Sequence, residues 1–150
     1  MRKHRSGGVL LLTVLLSAVL IQTAWAGEWV LRDSGEWFYE ENGEFVTGWQ
    51  KINGRWYLFD EETGAWKEKP EVTPENACYL LENKLAEQGL YQDEEEEIFC
   101  RVEYVTKEMI KVSVGYEDRP GYFRAVNIYE INRKTGITDP VIGDKKFSIW

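Results

Sequence analysis

The sequence predicts a mainly β chain of α+β character, with tandem aromatic β-hairpin repeats followed by a small domain of one helix and an antiparallel meander. Three observations carry this. Glycines and aromatic residues recur in register between Trp29 and Trp66, a capped apolar-faced segment follows Thr73, and β-type alternation dominates from Ile98 onward.

Residues 1–26 read as a signal peptide. Arg2, Lys3 and Arg5 form a basic start, Val9 to Ile21 an apolar stretch, and Ala24-Trp25-Ala26 a small-x-small cleavage pattern, so a mature chain would begin near Gly27. The apolar run is short for a membrane span, and an uncleaved anchor is the alternative. With no cysteine near the cleavage site, a lipoprotein anchor is disfavoured. Removing the segment takes three of 18 basic residues and none of the 26 acidic ones, leaving the chain more acidic than its overall −8. Such a surface repels nucleic acid and anionic lipid and favours cationic ligands. His4, in this segment, is the only histidine. Serine-histidine and cysteine-histidine catalysis and histidine-bearing zinc sites are therefore excluded from a mature protein.

Residues 27–68 carry the repeat. Trp29, Gly35, Trp37, Phe38, Tyr39, Gly43 and Phe45 recur as Trp49, Gly54, Trp56, Tyr57, Phe59, Gly64 and Trp66, at an offset of about 20 residues, the mark of stacked units. Gly35 and Gly54 permit the positive φ of a tight turn, and Asn53-Gly54 is a strong two-residue hairpin signal. Because a lone hairpin is marginal in water, each unit must lay its rings against a neighbour, which forms crevices walled by Trp and Tyr.

Gly43-Glu44-Phe45-Val46-Thr47-Gly48-Trp49 and Asn53-Gly54-Arg55-Trp56-Tyr57-Leu58-Phe59-Asp60 resemble the choline-binding, or cell-wall-binding, repeat of Gram-positive surface proteins and phage lysins, over residues 28–68. The resemblance implies a hairpin solenoid in which aromatics of neighbouring hairpins cage the choline of teichoic acids. Similar repeats in other proteins bind glucans or other glycans. It points to Trp37, Phe45, Trp49, Trp56 and Tyr57 as ligand-binding rings, with Trp29 and Trp66 as end walls and Trp49 joining the two units. The competing reading is that these rings only hold the hairpins together.

The composition turns charged and proline-bearing between Lys67 and Val72, marking a module boundary before a domain over residues 73–150. Thr73 reads as an N-cap, Pro74 as the first helical residue and Glu75 as a complement to the helix dipole. Ala77, Leu81 and Leu85, with Cys78 beside them, give an apolar face, and Gly89 stops the helix. The run Asp93 to Glu97 lacks the alternating oxygens and central glycine of a calcium loop, so it reads as a solvated linker and no metal is assigned.

Four strand signals follow. Ile98, Cys100, Val102 and Tyr104 alternate, as do Ile110, Val112, Val114 and Tyr116 after a turn at Lys107-Glu108. Glu117 to Gly121 reads as a turn, Tyr122 to Ile131 as a third strand, and Arg133 to Gly136 as the turn into a short strand at Ile137 that Pro140 ends. This part loosely resembles cystatin-like or peptidase-propeptide-like domains of secreted bacterial proteins. In an oxidising exterior Cys78 and Cys100 would pair, closing a loop worth roughly 3 kcal/mol. The alternative is two buried free thiols.

Function then reads as a secreted or cell-wall-associated, non-enzymatic protein that docks on wall choline or a surface glycan through the hairpins. The C-terminal domain would serve as adaptor or cargo for an unidentified protein partner. No cofactor and no nucleic acid is implied, and no buried carboxylate pair suited to glycoside cleavage can be picked out. The alternative is a secreted inhibitor or propeptide-like regulator acting through the C-terminal domain.

Overall fold

The computed structural model describes residues 27–91, 97–143 and 145–150, and the fold there is mainly β with one helix and antiparallel sheets. The signal-peptide segment and all of the acidic run except Glu97 lie outside the described residues. Among those described, no helix is long and apolar enough to cross a membrane.

The first hairpin unit comprises β1 (Glu28–Leu31), β2 (Trp37–Glu41) and β3 (Glu44–Phe45), hydrogen-bonded in the order β1-β2-β3. Asn42 and Gly43, at φ 55° and 83°, make the two-residue turn between β2 and β3. The second unit pairs β4 (Gly48–Ile52) with β5 (Arg55–Phe59) through Asn53 and Gly54, at φ 51° and 81°. Positive φ at both central positions is the geometry that matches strand twist, which is why Asn-Gly occurs twice. A single bridge between Phe59 and Trp66 stands where β3 stands in the first unit, so the second unit repeats the three-strand plan in reduced form.

Helix α1 (Ala77–Glu87) starts later than the sequence suggests. Asn76, rather than Thr73, occupies the N-cap, and it makes no side-chain capping bond because its side chain is drawn back: Oδ1 accepts from the Thr73 N–H at 2.8 Å and Nδ2 donates to the Glu71 carbonyl at 2.8 Å. The C-terminus follows expectation. Gly89, at φ 68°, and Leu90 donate to the carbonyls of Ala86 and Leu85, a Schellman closure. Leu80 joins Ala77, Leu81 and Leu85 on the buried face.

The remaining strands, β6 (Phe99–Val105), β7 (Met109–Arg119), β8 (Tyr122–Asn132), β9 (Ile137–Pro140) and β10 (Phe147–Ser148), form an antiparallel meander in the order β10-β9-β8-β7-β6. Two local readings change. Pro120 and Gly121 alone make the turn between β7 and β8, since Arg119 already pairs with Tyr122. Tyr104 points to the exposed side, because a bulge between Val102 and Tyr104 inserts one residue and reverses the alternation. Another irregularity follows Val114, where Gly115 lies so close to the Arg124 carbonyl that a Cβ there would clash with its oxygen.

The core lies between α1 and one sheet face. Leu81, Ile110, Val112, Val114, Ile131 and Val72 are fully buried there, with Tyr129 and Ile149 nearly so. Burying apolar area at roughly 25 cal/mol per Å² makes this the main stabilising cluster. Trp49 of the second hairpin packs against the same cluster.

Candidate functional site

The seven rings picked out in the sequence fall into three groups and one outlier. In the first group, Trp29 is the hub. Its ring lies 5.4 Å from Tyr39, 5.0 Å from Tyr57, 5.6 Å from Phe59 and 5.7 Å from Trp66, and Tyr57 lies 6.0 Å from Trp66. The pairing Trp29↔Tyr39 puts both rings on one face of the first unit, and that face meets β5. Trp29, rather than Trp49, therefore joins the hairpins.

In the second group, Phe45 lies 5.0 Å from Phe38, and the guanidinium of Arg32 covers both rings. The third group engages the helix. Tyr79 lies 5.2 Å from Trp49 and 4.2 Å from Trp56, the Trp56 indole N–H donates to Glu82 at 3.0 Å, and Asn83 exchanges two hydrogen bonds with the Trp56 backbone. Tyr79, Glu82 and Asn83 stand at i, i+3 and i+4, on one helix stripe. In the sequence the apolar face of α1 dominates the pattern and masks this stripe, whose signal is an aromatic with two polar residues at that spacing. Trp37 is 40% exposed, and its carbonyl accepts from the Trp66 N–H at 2.7 Å.

Two clefts border these rings. A crevice of about 180 Å³ lies between the hairpins, but Tyr39 is the only aromatic residue in it, beside Glu41, Gln50 and Lys51. The other, of about 220 Å³, lies among β5, α1 and the chain end. Trp49, Trp56, Tyr57 and Trp66 all line it, joined by Trp150, with Arg55, Lys67, Lys84, Glu68 and Glu87 at its borders. Glu87 serves both Lys84, at 3.3 Å, and Arg55, at 3.6 Å. Trp150 reaches the cleft because Gly136, at φ 65°, leaves its indole room: a Cβ there would meet it at 2.7 Å. Such a site offers aromatic faces for an apolar or cationic group and charges of both signs for a polar tail.

Asp60 shapes the segment that leads to Trp66. Its hydrogen bond with Lys67, followed by those from Thr63 and Glu62, holds its carboxyl well below the usual range. The same contacts fold residues 60–64 into a tight turn, with Asp60 Oδ1 accepting from the N–H groups of Glu62 and Thr63 at 3.0 and 2.9 Å.

Residues 47–62 match the family model of a putative cell wall binding repeat. The matched repeat covers β4, its Asn-Gly turn and β5, and so contains Trp49, Trp56 and Tyr57. No curated protein and no solved structure matches the chain.

Away from the repeat, Cys78 on α1 and Cys100 on β6 are both free thiols; the disulfide expected between them is not formed in this structure. The two side chains are hydrogen-bonded to each other. That bond lowers the Cys78 pKa, while the same neighbour and then burial raise that of Cys100. Among the described residues no group of three histidine, cysteine, aspartate or glutamate side chains is placed to hold a metal.

Proposed function

We propose that this chain is an exported, non-enzymatic surface protein that docks on wall choline or a wall glycan through its hairpins. The observation that carries this reading is the match to a cell wall binding repeat over the strands whose rings line the open cleft beside α1. A quaternary ammonium offers no conventional hydrogen-bond donor, so its recognition rests on aromatic faces, each worth on the order of 0.5–2 kcal/mol. Three such contacts, less the cost of association, support roughly millimolar binding. Trp56, Tyr57 and Trp66 are the rings assigned to the ligand. Trp29, Phe45 and Trp49 are assigned chiefly to packing, and Trp37 to an exposed flank.

In this reading residues 1–26 are removed on export, residues 27–68 form the docking module, and residues 73–150 form the cargo or adaptor. Outside the cell, Cys78 and Cys100 would close to a disulfide, tying α1 to β6. Retention of the chain on purified walls tests the proposal: it is expected to stay on choline-containing walls and to elute with free choline. Passage through both choline-containing and choline-free walls would refute it.

A further inference from the structure

The core between α1 and the sheet opens at the C-terminal end of the helix. Tyr91, Val126 and Phe147 pack against the core cluster while staying only partly buried, and with Leu90 and Ile142 they wall an open cleft of about 390 Å³. Leu90 is 42% exposed and Ile142 66%, so the mouth of this cleft is apolar. It shares no lining residue with the cleft beside β5 and α1.

Polar groups behind the cleft are ordered in one direction. Asn127 Oδ1 accepts from the N–H groups of Ile128 at 2.7 Å and Ile142 at 3.1 Å, which fixes the orientation of its amide. Nδ2 therefore donates, to the Ile142 carbonyl at 3.0 Å and to the Tyr129 hydroxyl at 3.4 Å. Tyr129 is buried, and the Tyr91 hydroxyl, at 3.0 Å, is its only hydrogen-bond acceptor among the described residues. Leaving a buried proton unpaired is costly, so Tyr129 donates to Tyr91 and the Tyr91 proton is left for an acceptor in the cleft. Tyr91 stands at φ 60°, where an aromatic residue is strained, and strain of this kind gathers at ligand-holding sites. Lys145 lines the same cleft and makes no ion pair among the described residues, whereas Lys146 is tied to Asp139 at 2.6 Å.

Apolar walls, an outward hydroxyl donor and a free ammonium match an amphipathic anion. We propose that this cleft binds a small carboxylic acid with an apolar tail, whose carboxylate accepts from the Tyr91 hydroxyl and faces Lys145. The overall negative charge of the chain opposes an anion at long range, where salt screens it, and leaves the local balance to Lys145.

Titration of the full chain with decanoate at pH 7, followed by amide NMR, tests this against decanol, which has the same tail and no charge. Saturable shifts are expected at residues 88–91, 126–129 and 141–143, with decanoate binding roughly three- to tenfold more tightly than decanol. Tyr91→Phe keeps the ring and loses the relayed proton, and should weaken both ligands roughly threefold. Lys145→Gln, at an exposed position, should weaken decanoate and leave decanol unchanged. Absence of saturable shifts at those amides, shifts confined to residues 49–58, or equal decanoate binding by the wild type and both variants would overturn the proposal. Sedimentation of the chain with phosphatidylglycerol vesicles, without a response to dissolved decanoate, would make this face a membrane contact and overturn it as well.

Discussion

The side chain of Asn83 clasps the backbone of Trp56: Oδ1 accepts from the Trp56 N–H and Nδ2 donates to the Trp56 carbonyl, both at 2.7 Å. A primary amide presents the same donor and acceptor pair as a peptide unit, so α1 substitutes for a neighbouring strand along β5. The hairpin and the helix are thus joined by backbone recognition as well as by the stack of Tyr79 on Trp56.

Asn83→Ala removes both bonds and leaves a partly buried amide and carbonyl of β5 without partners. The expected loss is about 1–3 kcal/mol, read from the urea midpoint. Asn83→Asp, which keeps the acceptor but not the donor, should fall between that variant and the wild type.

Trp29 should matter more to the hairpin pair than any other ring. Trp29→Ala loses contacts with Tyr39, Tyr57, Phe59 and Trp66, and is expected to cost about 2–4 kcal/mol within the hairpin units. Amide NMR should show residues 28–46 losing dispersion while residues 109–132 keep theirs. Trp37→Ala, at a site 40% exposed, should change stability far less.

The sequence carried most of the fold and less of the site. Asn-Gly turns, strand alternation and the Gly89 closure are local signals, set by backbone conformation that only a few residue types tolerate, and they were legible. What depends on contacts between distant elements was not. Trp49 reads as an inter-hairpin ring because its role in the pattern resembles that of Trp29, yet it faces Tyr79. Nothing near Trp49 in the chain announces a helix that arrives thirty residues later. The Val102 bulge likewise leaves the alternation of the one-dimensional pattern unbroken, but turns Tyr104 outward. Trp150 was passed over because its place depends on Gly136 yielding space.

Acid should loosen the turn that leads to Trp66. The folded-state pKa of Asp60 is depressed, chiefly by Lys67, so its contribution is present above the unfolded value of about 4 and is lost as pH falls through the folded value. Glu75 and Glu103 are also lowered, through Thr73 and Ser113 first, and act in the same direction. The melting temperature is expected to hold between pH 7 and about 5 and to decline below about 4. Lys67→Gln should raise the Asp60 titration midpoint, read by carboxyl carbon NMR; an unchanged midpoint would leave the turn to Thr63 and Glu62 alone.

Oxidation should join α1 to β6. Under a glutathione buffer poised like an extracellular compartment, Cys78 and Cys100 are expected to lose both reactive thiols by alkylation, with a rise in unfolding free energy of roughly 3 kcal/mol. Two thiols still reactive in the oxidised sample would show that the pair stays reduced.

Rings of the matched repeat, together with Trp66 just beyond it, are proposed to bind a wall ligand in the cleft beside α1. Tryptophan emission during choline titration tests this most directly, since Trp56, Trp66 and Trp150 all line that cleft. The account predicts a saturable change with a midpoint in the roughly millimolar range, weakened by Trp66→Leu under conditions where the meander amides are unchanged. A change produced by a glucan but not by choline would make the ligand a glycan. Emission and thermal stability unmoved by saturating amounts of either would contradict the claim and leave the aromatic rings a purely structural role.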